Sequence, residues 1–125
     1  MNLMIRTLGV AVLALLGPVS QASETYVPGE KPTGDFKTFA SSFLESHCFD
    51  CHDDETSEGD LNLLELGPVN ETNAAVWKSI WSQVALQEMP PKKKSKLGII
   101  DRLCFSDWIV HELQRKMKNK GGFHA

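Results

Sequence analysis

The chain has 125 residues, 23% of them charged, with a formal net charge of −3 and a pI near 5.8. That length holds one small domain, and the excess of acid excludes a general nucleic-acid binder, which needs a basic face. No acid–base or nucleophile constellation stands apart from a single Cys/His motif, so catalysis by the domain alone has no support in the sequence.

Arg6 starts the chain with positive charge, and Leu8 to Leu16 is an apolar run too short for a comfortable membrane span. Gly17-Pro18 breaks the run, and Ser20-Gln21-Ala22 supplies small residues at the positions signal peptidase reads. Residues 1–22 therefore read as a cleaved secretory signal, with an uncleaved anchor as the alternative. The expected location is the periplasm or another exported compartment of a bacterium, without stable membrane insertion after cleavage. Residues 1–22 hold Arg6 and no acid, so their removal takes the net charge from −3 to −4.

Residues 23–34 contain two prolines and two glycines and read as a flexible lead-in. The domain proper is expected over 35–120, with 121–125 as a tail. Asp35 is a candidate helix N-cap. Phe36, Phe39, Phe43 and Leu44 follow at helical spacing, which predicts a helix over 36–47 with one apolar face.

That helix runs into Cys48-Phe49-Asp50-Cys51-His52, the C-x-x-C-H spacing that attaches haem c. In that chemistry each thiol adds across one haem vinyl group to form a thioether, and the adjacent histidine presents an imidazole nitrogen to the iron. Two other readings compete. A Cys48–Cys51 disulfide would close a short, strained loop and leave His52 without a role. A zinc module would use Cys48, Cys51 and His52, completed by His47 or Cys104, but structural zinc sites usually draw on a second knuckle, and none exists here.

Asp53, Asp54, Glu55, Glu58 and Asp60 form an acidic loop, read as solvated surface in preference to a metal site. Leu61, Leu63, Leu64 and Leu66 return the chain to the core, and Gly67-Pro68 ends the segment. Asn73 is expected to cap a second helix over 74–87. Val76, Ile80 and Val84 make one stripe, with Trp77 and Trp81 beside it. Both tryptophans are candidate cofactor contacts, an indole N–H being able to reach a haem propionate; ordinary core is the equal alternative.

Met89-Pro90-Pro91 follows, and a third helix is predicted over 97–118. Its expected buried stripe is Leu97, Ile100, Cys104, Trp108, Ile109 and Leu113. Arg115, Lys116, Lys118 and Lys120 suit the negative end of that helix. Cys104 reads as a small packed hydrophobe, with a disulfide-linked dimer as the alternative.

A low-spin haem iron needs a second axial ligand. Met89, Met117, His47, His111 and His124 are the candidates after the signal. Met89 is preferred because a proline restricts the residue before it to extended conformations and a second proline stiffens the segment. Thioether ligation raises the reduction potential relative to two imidazoles.

Taken together, Cys48 to His52, Gly59-Asp60-Leu61-Asn62-Leu63, Trp77 to Gln87, Met89-Pro90-Pro91 and Trp108-Ile109 resemble the planctomycete-type cytochrome c domains. The resemblance covers roughly residues 36–114. It implies a small all-α cytochrome c-like fold, three main helices around one covalently bound haem, with the first and last helices crossing beside it. By that match His52 is the proximal iron ligand and Met89 the distal one.

The expected function is one-electron transfer by a carrier, standing alone or serving as the electron-transfer subunit of a larger oxidoreductase. Lys92, Lys93, Lys94 and Lys96 follow the methionine strap and offer a patch that would steer an acidic redox partner, or else a merely solvated turn. A haem-based gas sensor, in which Met89 leaves the iron, is the main rival.

Overall fold

The computed structural model describes residues 25–119, so the signal of residues 1–22 and the tail 121–125 lie outside the described residues. A π-helical turn, Phe36–Ala40, continues into α1, Ser41–His47; a short 3-10 turn, Glu58–Asp60, precedes α2, Ala74–Ala85, and α3, Ile99–Lys118. Among the described residues there is no strand, and the fold is all-α with three helices, as expected. None of these helices is long and apolar enough to cross a membrane.

The first helical stretch starts where its sequence dictates. Asp35 Oδ1 accepts from the Thr38 N–H at 2.9 Å, and Thr38 Oγ1 accepts from the Asp35 N–H at 3.0 Å, a reciprocal capping box. The backbone hydrogen bond from Thr38 holds the Asp35 carboxyl below its ordinary range. Asn73 begins α2 differently from the expectation. Its side chain makes no cap bond to the helix and instead donates to the carbonyls of Leu66 and Pro68, at 2.7 and 2.9 Å, tying the preceding loop together. The helix stops two residues short of the predicted 87. Leu86 and Gln87 turn out of it, Gln87 in the left-handed region at φ 63°, with no glycine to signal the stop.

Helices α2 and α3 form the main packed pair. Trp77, Ile80 and Val84 are buried on α2; Phe105, Trp108 and Ile109 meet them from α3; Ala40, Leu44, Leu63 and Val69 close the core. Aromatic rings join the first stretch to this pair. Phe43 stacks on Phe105 at 3.7 Å between centroids, and Phe36 stands edge-on to Trp77 at 6.1 Å.

The first turns of α3 correct the predicted stripe. Ile99, Ile100 and Leu103 are exposed, while Arg102 is buried, and Cys104 is only half-buried. The inner face runs through Arg102, Phe105, Ser106, Ile109 and Glu112, so Ile100 and Cys104 fall to its side. Leu64 likewise points outward, whereas Leu63 is buried.

The described part of the lead-in makes a set of contacts with α3. Tyr26 Oη and the Gly29 N–H both donate to Asp107 Oδ2, at 2.9 and 3.0 Å, and His111 Nε2 bonds the Gly29 carbonyl at 2.7 Å. Lys31 pairs with Glu112 and lies over the Trp108 ring, 5.9 Å from its centroid. Trp108 Nε1 donates to the Gly34 carbonyl at 3.2 Å. Only glycine fits there: its φ is 115°, and a Cβ would come within 2.9 Å of Phe39 Cβ.

Candidate haem site

The C-x-x-C-H motif is a helical turn that extends α1. Cys48 and Phe49 N–H groups donate to the Leu44 carbonyl, and the N–H groups of Cys51 and His52 donate to the Cys48 carbonyl at 3.2 and 3.0 Å. Residues spaced i, i+3 and i+4 on such a turn share one side. Cys48, Cys51 and His52 accordingly face one cleft, together with Met89, Pro90 and Pro91 from the opposite strap and His47 at the end of α1. A second lobe shares Cys48, His52 and Met89 and is walled by Leu61, Leu63, Ile80 and Val84. The four residues predicted to hold the cofactor therefore meet in one place.

The loop after His52 folds back to secure the motif. Leu63 N–H donates to the His52 carbonyl and Glu58 N–H to the Cys51 carbonyl, each at 2.8 Å. His52 Nδ1 lies 3.2 Å from the Leu61 carbonyl, the geometry of an N–H donor, and Nε2 makes no hydrogen bond among the described residues. A carbonyl on one imidazole nitrogen fixes the tautomer and frees the other nitrogen to ligate a metal.

Cys48 and Cys51 are free thiols, not joined in a disulfide. Burial pushes the Cys48 thiol up to about 12, and the neighbouring Cys51 sulfur adds to the effect, so Cys48 is neutral at physiological pH. Two free thiols, an oriented imidazole, a thioether opposite and an apolar wall fit a covalently attached haem. Among the described residues no group of three or more His, Cys, Asp or Glu side chains is placed to hold a metal ion. The acidic loop is organised by its own backbone. Asp53 Oδ1 accepts from Glu55 and Thr56 N–H groups, and the Thr56 bond, the larger cause, holds its carboxyl below the ordinary range.

Trp77 and Trp81 are not among the residues that line the cleft. Trp77 is fully buried, and its indole N–H donates to the Gly67 carbonyl at 3.2 Å; Trp81 packs half-buried against the core. The one donor on Trp77 has its partner away from the cleft, and both rings pack with the core, the alternative reading of the two tryptophans. Of the rejected axial candidates, His47 is bonded to Ser95 Oγ at 2.8 Å, His111 holds the lead-in, and Met117 is exposed. His124 lies outside the described residues.

The sequence reading missed Arg102. Its Nη1 donates to the carbonyls of Val84 and Met89, at 2.8 and 2.7 Å, joining α3 to the methionine strap. The available signal was its spacing: Arg102 lies three residues before Phe105 and seven before Ile109, on the buried side of the helix.

A family model described as Planctomycete cytochrome C matches residues 48–93. Over this stretch, a little over a third of the chain, the sequence is similar to the planctomycete cytochrome c family. The match spans the C-x-x-C-H motif, Gly59 to Leu63, Trp77 and Met89-Pro90-Pro91, which is every part of the cleft except the last turn of α1 and the lysine beyond Lys93. It stops short of the wider resemblance over 36–114, leaving out the first helix and Trp108-Ile109. A cytochrome c of this family is a haem c protein, and an electron carrier in preference to a catalyst. No curated protein and no solved structure matches the chain.

Proposed function

We propose that this protein is an exported, single-haem c-type cytochrome that carries one electron at a time between redox proteins. The observation that carries the reading is the convergence of Cys48, Cys51, His52 and Met89 on one cleft, with His52 Nδ1 held by the Leu61 carbonyl. When bound, haem supplies an iron that exchanges between ferric and ferrous states. Cys48 and Cys51 would tether it through thioethers, each thiol hydrogen passing to the vinyl carbon that does not bond sulfur. His52 Nε2 and the Met89 sulfur would ligate the iron.

The chain's own contribution is to keep those donors still. The motif turn is pinned by the returning loop, and Pro90 beyond Met89 is buried. Ligands that do not move between oxidation states leave little reorganisation to oppose transfer. Leu61, Leu63, Ile80 and Val84 give one lobe an apolar wall, while Lys94 borders the other. Lys92, Lys93, Lys94 and Lys96 are all exposed beside the strap, which supports their role in docking an acidic partner. Export rests on the pattern of residues 1–22, and the single haem on the single C-x-x-C-H motif.

The test is a reduced-minus-oxidised visible spectrum and intact mass of protein matured in a periplasm able to attach haem c. The expected product is coloured, heavier than its residues 23–125 by one haem, and keeps that colour through acid–acetone extraction. A colourless product of bare polypeptide mass overturns the proposal. Replacing the four lysines with glutamine should flatten the salt dependence of electron transfer to an acidic partner; an unchanged dependence removes the docking role.

A further inference from the structure

Arg102 is 8% exposed and, among the described residues, forms no salt bridge. A buried charge of that kind persists only where polar groups compensate it. Here the compensation is two backbone carbonyls, those of Val84 and Met89, both reached from Nη1. Val84 lies in the last turn of α2, where the helix dipole favours a cation, and its carbonyl also accepts from the Gln87 N–H at 3.1 Å. The Met89 N–H donates to the carbonyl of Gln83, also in that last turn, at 3.1 Å. Both backbone polar groups of Met89 are thus held, the N–H by α2 and the carbonyl by α3. Prolines narrow the conformations open to a strap, but they do not say where it sits relative to the rest of the fold. These hydrogen bonds do.

We propose that Arg102 is a positioning residue that fixes the Met89 backbone over the cleft, so that the thioether stays on the side opposite His52. The proposal rests on the haem reading above. It also gives that reading a direction. Moving Met89 out of the cleft would strip a buried guanidinium of one partner, which is costly. The device therefore opposes the ligand release that a gas sensor needs and favours a carrier with permanent ligation.

The experiment compares wild-type holoprotein with Arg102→Met, Arg102→Lys and Glu112→Gln. Glu112 is also buried on α3 but pairs with Lys31 and Arg115, away from the strap, so its variant reports general destabilisation. Three quantities are read: the methionine-to-iron charge-transfer band of the ferric form, cyanide affinity and the thermal midpoint. Arg102→Met is expected to weaken or abolish the band and to tighten cyanide binding by about tenfold, because the strap loses a charge-assisted hydrogen bond that competes with ligand exchange. Arg102→Lys, which keeps a charge and the aliphatic stem, should lie between, and it carries the comparison if Arg102→Met does not fold. Glu112→Gln should lower the midpoint with the band and cyanide affinity unchanged.

An Arg102→Lys protein with wild-type band and cyanide affinity overturns the proposal, as does a Glu112→Gln protein that loses the band equally. A wild-type holoprotein without the band overturns the Met89 assignment and the proposal with it. A wild-type band beside unaltered Arg102 variants overturns the proposal alone.

Discussion

Replacing Trp77 by phenylalanine separates a core tryptophan from a cofactor contact. The side chain is fully buried, with ring centroids 6.1 Å from Phe36 and 5.7 Å from Trp108, and its one polar atom donates to the Gly67 carbonyl at 3.2 Å. Phenylalanine keeps one aromatic ring and removes the N–H and the fused second ring. The lost hydrogen bond costs about 1 kcal/mol. A residual void of roughly 40 Å³, at about 24 cal/mol per Å³, adds about 1 kcal/mol more. Urea unfolding of the holoprotein should therefore show a loss of about 2 kcal/mol with an unchanged slope, and the thermal midpoint should fall by roughly 8–16 °C for a domain of this size. The reduction potential should stay where it is, because the indole N–H is engaged outside the cleft. A shift near 60 mV, equivalent to about a tenfold change in the one-electron equilibrium, with stability unaltered would refute the placement of Trp77 and restore a propionate contact.

Met89→Ala should yield a high-spin ferric protein, or one that recruits a foreign ligand, and its reduced form should bind carbon monoxide rapidly where the wild type binds it slowly; an unchanged axial spectrum removes Met89 from the site. At Glu112, burial pushes the carboxyl up, but hydrogen bonds from Arg115 and Lys31 outweigh it and leave it below the ordinary value of 4.5. A carboxyl lowered on folding stabilises fully above its unfolded pKa and loses that contribution as the pH falls through the lower folded value. Glu112→Gln should accordingly cost about 1–2 kcal/mol at pH 7 and flatten the decline in thermal midpoint below pH 4.5; a parallel decline in both proteins counts against the pairing. Asp107→Ala removes the acceptor shared by Tyr26 and Gly29, and limited proteolysis should then cut within residues 25–34 several-fold faster. Equal cutting rates would show that the clasp is held by other contacts.

Local chemistry was legible in the amino acids themselves. Helix existence, the Asp35 start and the C-x-x-C-H turn depend on spacings within about one helical turn, and these survive whatever the rest of the chain does. That His52 and Met89 line one cleft agrees with the expectation drawn from Met-Pro-Pro, which restricts its own backbone. What residue type could not reveal was which way α3 faces. Ile99 and Ile100 look like core and lie outside; Arg102 looks like surface and lies inside, where the Val84 and Met89 carbonyls accept from its guanidinium. The lead-in followed the same logic: composition pointed to freedom, and its contacts with Asp107, His111 and Glu112, some 80 residues away, could not be read from it. Spacing along a chain decides what a residue can do; the partners brought to it from distant segments decide whether it does so in the core, at the surface or in the site.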